Sequence, residues 1–225
     1  MSGGWVVLIP VKPTREGKTR FGMPEERRSR LAAAIALDTI DAVVAAEGVH
    51  RVVVVTADDD LVAALPPRVE VIREHRAHGI DHALAAAARA VGPDVPRAAL
   101  PGDLATLHPE ELTAALREAA CSSRAVVPDA VGTGTTLLTA AAGVSWRSAY
   151  GPGSFARHVA LGCRPLLLPS DSGLRRDLDT AAQLAEVAGL AEVAGLSDSP
   201  ALTEASAGLG PRTAAALRGD RAPAP

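Results

Sequence analysis

Two short apolar runs constrain the fold of this chain more than any other feature. The first spans Trp5–Val11 (WVVLIPV), and the second, Arg51–Thr56 (RVVVVT), contains four consecutive valines. A strand with one face in water alternates apolar and polar residues, whereas a parallel strand covered on both faces is apolar throughout. Both runs therefore predict central strands of a sheet that is covered on its two sides.

Segments with helical spacing separate the predicted strands. Further strands are expected at Val69–Ile72, Arg97–Leu100, Ala125–Val127, Thr135–Ala140 and Pro165–Pro169. Helices are expected at Arg27–Ala46, Asp58–Leu65, Asp81–Val91, Pro109–Ala120, Ser154–Leu161 and Thr180–Leu196. Strands that alternate with helices of this length predict an α/β fold with a mostly parallel sheet flanked by helices.

The composition limits the functions that this chain can serve. It has 225 residues, of which 48% are apolar and 2% aromatic, and its formal net charge is −3. This length suits one domain with a substantial core. The weak net charge and the scarcity of aromatic rings disfavour nucleic acid as a partner, because binding it requires basic surface or base-stacking side chains.

Cysteine usage and hydropathy indicate the compartment. Cys121 and Cys163 lie far apart along the chain, which predicts two reduced thiols rather than a disulfide framework or a zinc site. No apolar run approaches the ~20 residues of a membrane-spanning helix, and no cleavable leader precedes Trp5. We therefore expect a soluble, cytoplasmic protein that does not bind a membrane.

The C-terminal part carries a short duplication. Leu184–Gly189 (LAEVAG) is followed directly by a second copy, Leu190–Gly195. A unit of this size is too short for a solenoid repeat, so a slipped duplication within a surface helix is the simpler interpretation. We expect a single domain over residues 1–217 and a disordered tail over residues 218–225.

The loop after the first strand is cationic. It contains Lys12, Lys18 and Arg20, and ligands of parallel sheets bind at the carboxyl edge, where such a loop lies. Gly17-Lys18-Thr19 matches the end of a P-loop, but Lys12 stands where that motif requires its first glycine. The loop therefore either binds a triphosphate by charge or is an ordinary solvated basic loop.

Three carboxylates are candidates for a metal site. Asp103 follows a predicted strand directly, and Asp177 and Asp179 flank Leu178, so that in an extended segment both acids face one side. Convergent carboxylates are what Mg²⁺ requires when phosphates and waters complete its octahedron. The alternative is structural, because Asp103 and Asp179 also occupy positions typical of helix caps.

Two glycine-rich loops have groups that suit an anion. Gly132–Thr135 offers consecutive backbone N–H groups and two hydroxyls, an arrangement able to cradle a phosphate. Gly151–Ser154 precedes a predicted helix, whose N-terminus attracts negative charge. Arg157 and His158 follow one turn later, where we expect them to add positive charge.

Taken together, these segments resemble one family. They are IPVK and GKTR, then VVVVTAD, PGDLATLHPEEL, DAVGTGTTLL, YGPGSFARH and GLRRDLDTAAQL. The chain is similar to the 2-phospho-L-lactate guanylyltransferases of coenzyme F-420 biosynthesis, a family that includes phosphoenolpyruvate guanylyltransferases. The resemblance runs from about Trp5 to Leu217, with an apparent insertion near residues 190–205.

The resemblance implies a Rossmann-like fold of the nucleotide-diphospho-sugar transferase type with a small β extension. It also implies transfer of GMP from GTP to the phosphate of 2-phospho-L-lactate or phosphoenolpyruvate, with Mg²⁺ as the metal and pyrophosphate as a product. The motifs assign catalytic roles to Lys18, Arg20 and Asp103, metal binding to Asp103, Asp177 and Asp179, acceptor binding to Thr135, Gly151 and Ser154, and nucleotide binding to Lys12, Lys18, Arg20 and Asp81.

One departure from the family and several alternatives stay open at this stage. Asp81 stands where the family usually has asparagine, and as an acid it can accept two N–H bonds from guanine. The alternatives are a molybdopterin guanylyltransferase, a cytidylyltransferase or a non-catalytic nucleotide-binding paralogue. The expected partners are GTP, a phospho-acid and the downstream F-420 biosynthetic transferase. The sequence selects neither the acceptor, which includes 3-phosphoglycerate as a third choice, nor the oligomeric state.

Overall fold

The two apolar runs lie side by side as parallel strands. In a computed structural model that describes residues 4–18, 21–74, 79–187 and 208–218, strand β1 (Trp5–Pro10) pairs with strand β2 (Val49–Thr56). The register places Val7 opposite Val52 and Ile9 opposite Val54. The prediction that both runs form strands is confirmed.

Helices and further strands alternate along the described chain. The other strands are β3 (Val69–Arg73), β4 (Arg97–Ala99), β5 (Arg124–Pro128), β6 (Thr135–Ala140) and β7 (Arg164–Pro165). The α-helices are α1 (Glu25–Ala45), α2 (Asp59–Ala63), α3 (Ile80–Val91), α4 (Pro109–Ala119), α5 (Ser154–Ala160), α6 (Ala181–Val187) and α7 (Pro211–Arg218), and a short 3-10 helix covers Gly173–Arg175. Within the part of the chain that the structure describes, no helix combines the length and apolarity needed to cross a membrane.

All seven strands form one sheet in the order β3-β2-β1-β4-β6-β5-β7. Strands β3, β2, β1 and β4 are parallel to one another, β6 is antiparallel to both β4 and β5, and β7 is parallel to β5. The prediction of a mostly parallel α/β sheet is confirmed, with β6, β5 and β7 extending it beyond β4. Because strand order reverses between β1 and β4, their carboxyl ends form the crevice where such sheets bind ligands.

Alternate residues of β1 enter two different hydrophobic clusters. Val7 and Ile9 pack in the cluster that contains residues of α1 and α4, while Val6 and Leu8 pack with Leu84 of α3 on the opposite face. All four β1 residues are fully buried. Helices on both faces thus explain why this strand is apolar at consecutive positions.

Several predicted boundaries differ from the structure. The strand expected at Pro165–Pro169 ends at Pro165. The backbone N–H of Leu166 still donates to the carbonyl oxygen of Val126, but the chain then leaves the sheet and Leu167 is exposed. The helix expected from Thr180 begins at Ala181. Residues 188–207, which hold the second LAEVAG copy and the apparent insertion, and residues 219–225 of the predicted tail lie outside the described residues.

The segment that leads to Asp177 is pressed against the loop after β4. The N–H of Gly173 donates to Glu111 Oε1 at 2.9 Å, and a Cβ atom at Gly173 would overlap the carbonyl oxygen of Thr106. Four residues after this contact Asp177 follows, and the N–H of Leu178 donates to the carbonyl oxygen of Asp103 at 3.1 Å. This packing brings the predicted metal ligands to the same edge of the sheet.

Gly173→Ala should lower the free energy of unfolding by about 2–3 kcal/mol, because the new methyl group can be accommodated only by moving backbone. Urea unfolding monitored by circular dichroism measures this change. Gly208→Ala is the matched control, since the nearest atom to its added Cβ is the Val187 oxygen at an ordinary 3.8 Å. Equal stability of the two variants would contradict the close approach at Gly173.

Candidate active site

The carboxyl ends of β1 and β4 open into a cavity of about 430 Å³. Lys12 and Lys18 line it from the loop after β1, Asp103 from the segment after β4, and Asp179 from the segment after the 3-10 helix. These four charged residues come from three distant parts of the chain. The sequence-based expectation that the cationic loop and the carboxylates share one edge of the sheet is therefore met.

Side-chain hydrogen bonds hold the cationic loop in place. Thr14 donates from its backbone N and its Oγ1 to Asp58 Oδ2, each at 2.7 Å, while Asp58 Oδ1 accepts from the N–H of Leu61 and so caps α2. On the other side, Arg28 of α1 donates to the carbonyl oxygen of Gly17 at 2.6 Å. The loop is thereby tied to two helices just before it reaches Lys18.

Lys18 bridges two of the carboxylates. Its Nζ lies 2.8 Å from Asp103 Oδ2 and 3.3 Å from Asp179 Oδ1, and only 11% of its side chain is exposed. Burial alone would lower the pKa of Lys18, but the charges and hydrogen bonds of the two aspartates outweigh it and raise that pKa. Lys18 is therefore a fixed positive charge in the cavity. Its backbone φ of 55° is in the left-handed region, which is uncommon for a residue with a side chain.

Asp177 belongs to the same group of acids. Burial first, and then the negative charges of Asp103, Asp179 and Asp129, raise its pKa to about 6. Acidic side chains held this close together are typical of a site that binds a cation. Lys18 supplies only part of the positive charge that such a cation would. The carboxylate cluster, as we call Asp103, Asp129, Asp177 and Asp179, thus carries more negative charge than Lys18 neutralises.

The residues fit a divalent cation that is held partly by its substrate. One oxygen of Asp103, Oδ1, is buried and lacks a hydrogen-bond partner among the described residues. No three histidine, cysteine or carboxylate side chains in the described ranges are close enough to form a complete protein-only site. Mg²⁺ suits such a place, because it is usually bound by one or two carboxylates together with phosphate oxygens and water.

The loop DAVGTGTT differs from its predicted role. The carboxylate of Asp129 accepts hydrogen bonds from the backbone N–H groups of Gly132, Thr133 and Gly134 at 2.6, 2.8 and 2.8 Å. Those amides were predicted to bind a phosphate, and this prediction is wrong because an acid of the same loop already occupies them. Arg175 holds the loop from outside by donating to the carbonyl oxygen of Asp129.

The three residues predicted to bind the acceptor lie together. Ser154 Oγ is 3.3 Å from Thr135 Oγ1, and both side chains are almost fully buried. The N–H of Ser154 donates to the carbonyl oxygen of Gly151, whose φ of 108° places that residue in a conformation suited to glycine. Strand β6 and the N-terminus of α5 therefore present a compact hydroxyl pair beside an exposed glycine turn.

His158 completes this hydroxyl pair in a way the sequence did not suggest. It was expected to add positive charge, but its ring is fully buried and its pKa is lowered to about 4, first by burial and also by Arg157, against the opposing effect of Asp81. It is therefore neutral at pH 7. Arg157 likewise turns away from an anion site, because its guanidinium donates to the carbonyl oxygens of Ala149 and Tyr150.

Asp81 and Arg20 are the remaining residues predicted to bind the nucleotide. Both carboxylate oxygens of Asp81 accept from the backbone N–H of Tyr150 at 3.1 Å, so Asp81 ties the start of α3 to the turn that contains Gly151. Its neighbour Ile80 lines the cavity. The role of Asp81 in binding guanine stays a prediction. Arg20 lies outside the described residues.

Asp177→Asn should raise the free energy of unfolding by about 1–2 kcal/mol at pH 7.5 without divalent metal, because it removes one charge from a crowded group of acids. Thermal unfolding with a chelator present measures the difference. Asp94→Asn, an exposed acid in the loop before β4, is the control and should change stability little. A less stable Asp177→Asn would mean that the cluster is not under repulsion.

His158 should make stability depend on pH. Its pKa is about 4 when folded and 6.5 in the unfolded chain, so the unfolded state binds the extra proton between these values. The stability advantage of the wild type over His158→Phe should therefore be full above pH 6.5 and shrink by about 2 kcal/mol as the pH falls to 4.5. Measuring the difference between the two proteins cancels Asp177, which both contain. A pH-independent difference would contradict the buried neutral imidazole.

Comparison with known proteins identifies the family of this chain. Residues 5–186 match the family described as "Guanylyl transferase CofC like". A phosphoenolpyruvate guanylyltransferase of Streptomyces scabiei is 41% identical over 94% of this chain and 95% of its own length.

Solved structures support the fold. A protein of Desulfovibrio desulfuricans G20, assigned to the nucleotide-diphospho-sugar transferases, superposes with a TM-score of 0.65 at 18% identity over 92% of this chain and 97% of its own. The Rv0371c protein of Mycobacterium tuberculosis, solved in complex with manganese, superposes with a TM-score of 0.55 at 16% identity over 83% of this chain and 98% of its own. Taken with the family match over most of its length, the chain belongs to the CofC-like guanylyl transferases.

Proposed function

We propose that this enzyme transfers GMP from GTP to the phosphate of phosphoenolpyruvate and releases pyrophosphate, as a step of coenzyme F-420 biosynthesis. The observation that carries the proposal is the pairing of a charged cavity, lined by Lys18 and Asp103, with a separate hydroxyl pair at Thr135 and Ser154. Two such regions suit two phosphorylated substrates. The choice of acceptor rests on the relatives named phosphoenolpyruvate guanylyltransferase.

The cavity is the nucleotide side of this proposed site. Lys12 is exposed at its rim and Lys18 lies deeper, and both would contact the triphosphate of GTP by charge. Asp103 and Asp177 would hold Mg²⁺, with Asp179 nearby, and the ion would supply positive charge to the phosphates and orient them. The manganese complex of Rv0371c, a fold relative, is consistent with a divalent cation in proteins of this architecture.

The hydroxyl pair is the acceptor side. Thr135, Ser154 and the turn at Gly151 would bind the anionic groups of the three-carbon acid. An acceptor bound here would have to present its phosphate to the nucleotide, and holding two reactants in the right geometry removes much of the entropic barrier. The carboxylate of Asp129, by contrast, organises the adjoining loop rather than binding substrate.

The transfer requires no nucleophile from the protein. A phosphate monoester has a second pKa of about 6 and is largely a dianion at neutral pH. One of its oxygens attacks the α-phosphorus of GTP, a new P–O bond forms, and the bond to the β-phosphate breaks, so that pyrophosphate leaves with the electron pair. Lys18 neutralises negative charge that builds up on the phosphates during this step.

Pyrophosphate release from GTP tests the proposal directly. With Mg²⁺ present we expect turnover with phosphoenolpyruvate that exceeds turnover with 2-phospho-L-lactate and with 3-phosphoglycerate. Asp103→Asn should lower kcat by at least about 100-fold, because the Mg²⁺ that neutralises the phosphates would lose a carboxylate ligand. Asp94→Asn, before the N-terminal end of β4, should leave kcat unchanged.

Two results would contradict the proposal. Preference for 2-phospho-L-lactate over phosphoenolpyruvate would contradict the assignment of phosphoenolpyruvate as the acceptor. Near-normal turnover by a folded Asp103→Asn variant would overturn the role of the carboxylate cluster. Circular dichroism of each variant shows whether its fold is intact.

A further inference from the structure

His158 lies at the centre of a hydrogen-bond chain behind the hydroxyl pair. Its Nδ1 is 2.9 Å from Thr135 Oγ1, and its Nε2 is 2.8 Å from the backbone N of Ala149. The ring has no exposed surface and makes an edge-to-face contact with Tyr150 at a centroid distance of 5.0 Å. Both ring nitrogens are therefore bonded, and the ring plane is fixed by packing.

The partners of His158 determine which nitrogen carries its proton. The N–H of Ala149 can only donate, so Nε2 must accept and cannot itself be protonated. In the neutral ring the single proton then resides on Nδ1, which donates to Thr135 Oγ1. Protonation of Nε2 would set two N–H groups against each other, and burial disfavours that charged form as well.

The direction of the chain sets the orientation of the Thr135 hydroxyl. Thr135 Oγ1 accepts from His158 Nδ1 and from Ser154 Oγ. With both lone pairs used, its own proton must point elsewhere, and no acceptor within the described ranges takes it. Thr135 is thus presented to a ligand as a donor and not as an acceptor.

We propose that His158 is a positioning residue that fixes the Thr135 hydroxyl as a hydrogen-bond donor to an anionic oxygen of the acceptor. This inference rests on the proposed function, since it takes Thr135 to bind the phospho-acid. A preoriented donor favours a negatively charged oxygen over a hydroxyl or amide N–H of the same shape. Binding then loses no free energy to reorienting the hydroxyl.

Three substitutions of His158 separate positioning from packing. His158→Asn retains an amide that can donate at the place of Nδ1, His158→Gln places its amide near Nε2, and His158→Phe fills the space with neither group. We expect the KM for phosphoenolpyruvate to rise about tenfold in His158→Phe and His158→Gln and no more than about threefold in His158→Asn. The KM for GTP should change less than about twofold in all three, because the nucleotide side is untouched.

A double-mutant cycle tests whether His158 acts through Thr135. In a Thr135→Val background, His158→Phe should raise the KM for phosphoenolpyruvate by less than about twofold, since the hydroxyl that it orients is already gone. Independent, multiplicative effects of the two substitutions would overturn the inference. So would equal losses in His158→Asn and His158→Phe.

The tautomer is measurable without any turnover. Nitrogen-15 NMR of the histidine rings, with His158→Phe used for assignment, should show His158 protonated on Nδ1, bare on Nε2 and unchanged between pH 8 and about pH 5.5. A proton on Nε2 would overturn the inference whatever the reaction. Wild-type protein that releases no pyrophosphate with any phospho-acid would overturn the proposed function and the acceptor role of Thr135 with it. Normal turnover with an unchanged acceptor KM in His158→Phe would overturn this inference alone.

Discussion

The convergence of like charges at the carboxyl edge of the sheet is the constraint on which the site depends. Asp103, Asp177 and Asp179 come from two segments that are joined by a backbone hydrogen bond between Leu178 and Asp103. Lys18 is the one cation that bridges two of them among the described residues. The cluster is held together by surrounding packing and remains short of positive charge, which is why we propose that it binds a metal–nucleotide complex.

The rest of the fold supplies the rigidity that this crowding requires. β1 is buried on both faces, and the loop that follows it is tied to α2 by Asp58 and to α1 by Arg28. The segment that carries Asp177 is held where Gly173 meets the loop after β4. Each of these contacts fixes the backbone from which a charged side chain extends. The packing of these backbone segments thereby offsets the repulsion among the carboxylates.

The sequence predicted that Lys18 and Asp103 lie at one edge of the sheet, because topology determines where strands end. Apolar runs such as Val52–Val55 identify buried parallel strands, and the ends of such strands must share an edge, so Lys18 and Asp103 were expected at the same place. The sequence could not predict which group accepts the hydrogen bonds of the loop amides. The amides of Gly132 to Gly134 suit a phosphate or a carboxylate equally, and only the folded loop shows that Asp129 takes them. The burial of His158 depends on how α5 packs against the sheet, which no local pattern encodes.

Anomalous diffraction from crystals grown with Mn²⁺ and a non-hydrolysable GTP analogue tests the central claim most directly. We expect a metal peak within bonding distance of the carboxylates of Asp103 and Asp177 and of phosphate oxygens, with Lys18 Nζ contacting phosphate instead of bridging Asp103 and Asp179. Nucleotide bound elsewhere, or a metal away from these carboxylates with the Lys18 bridges intact, would contradict it.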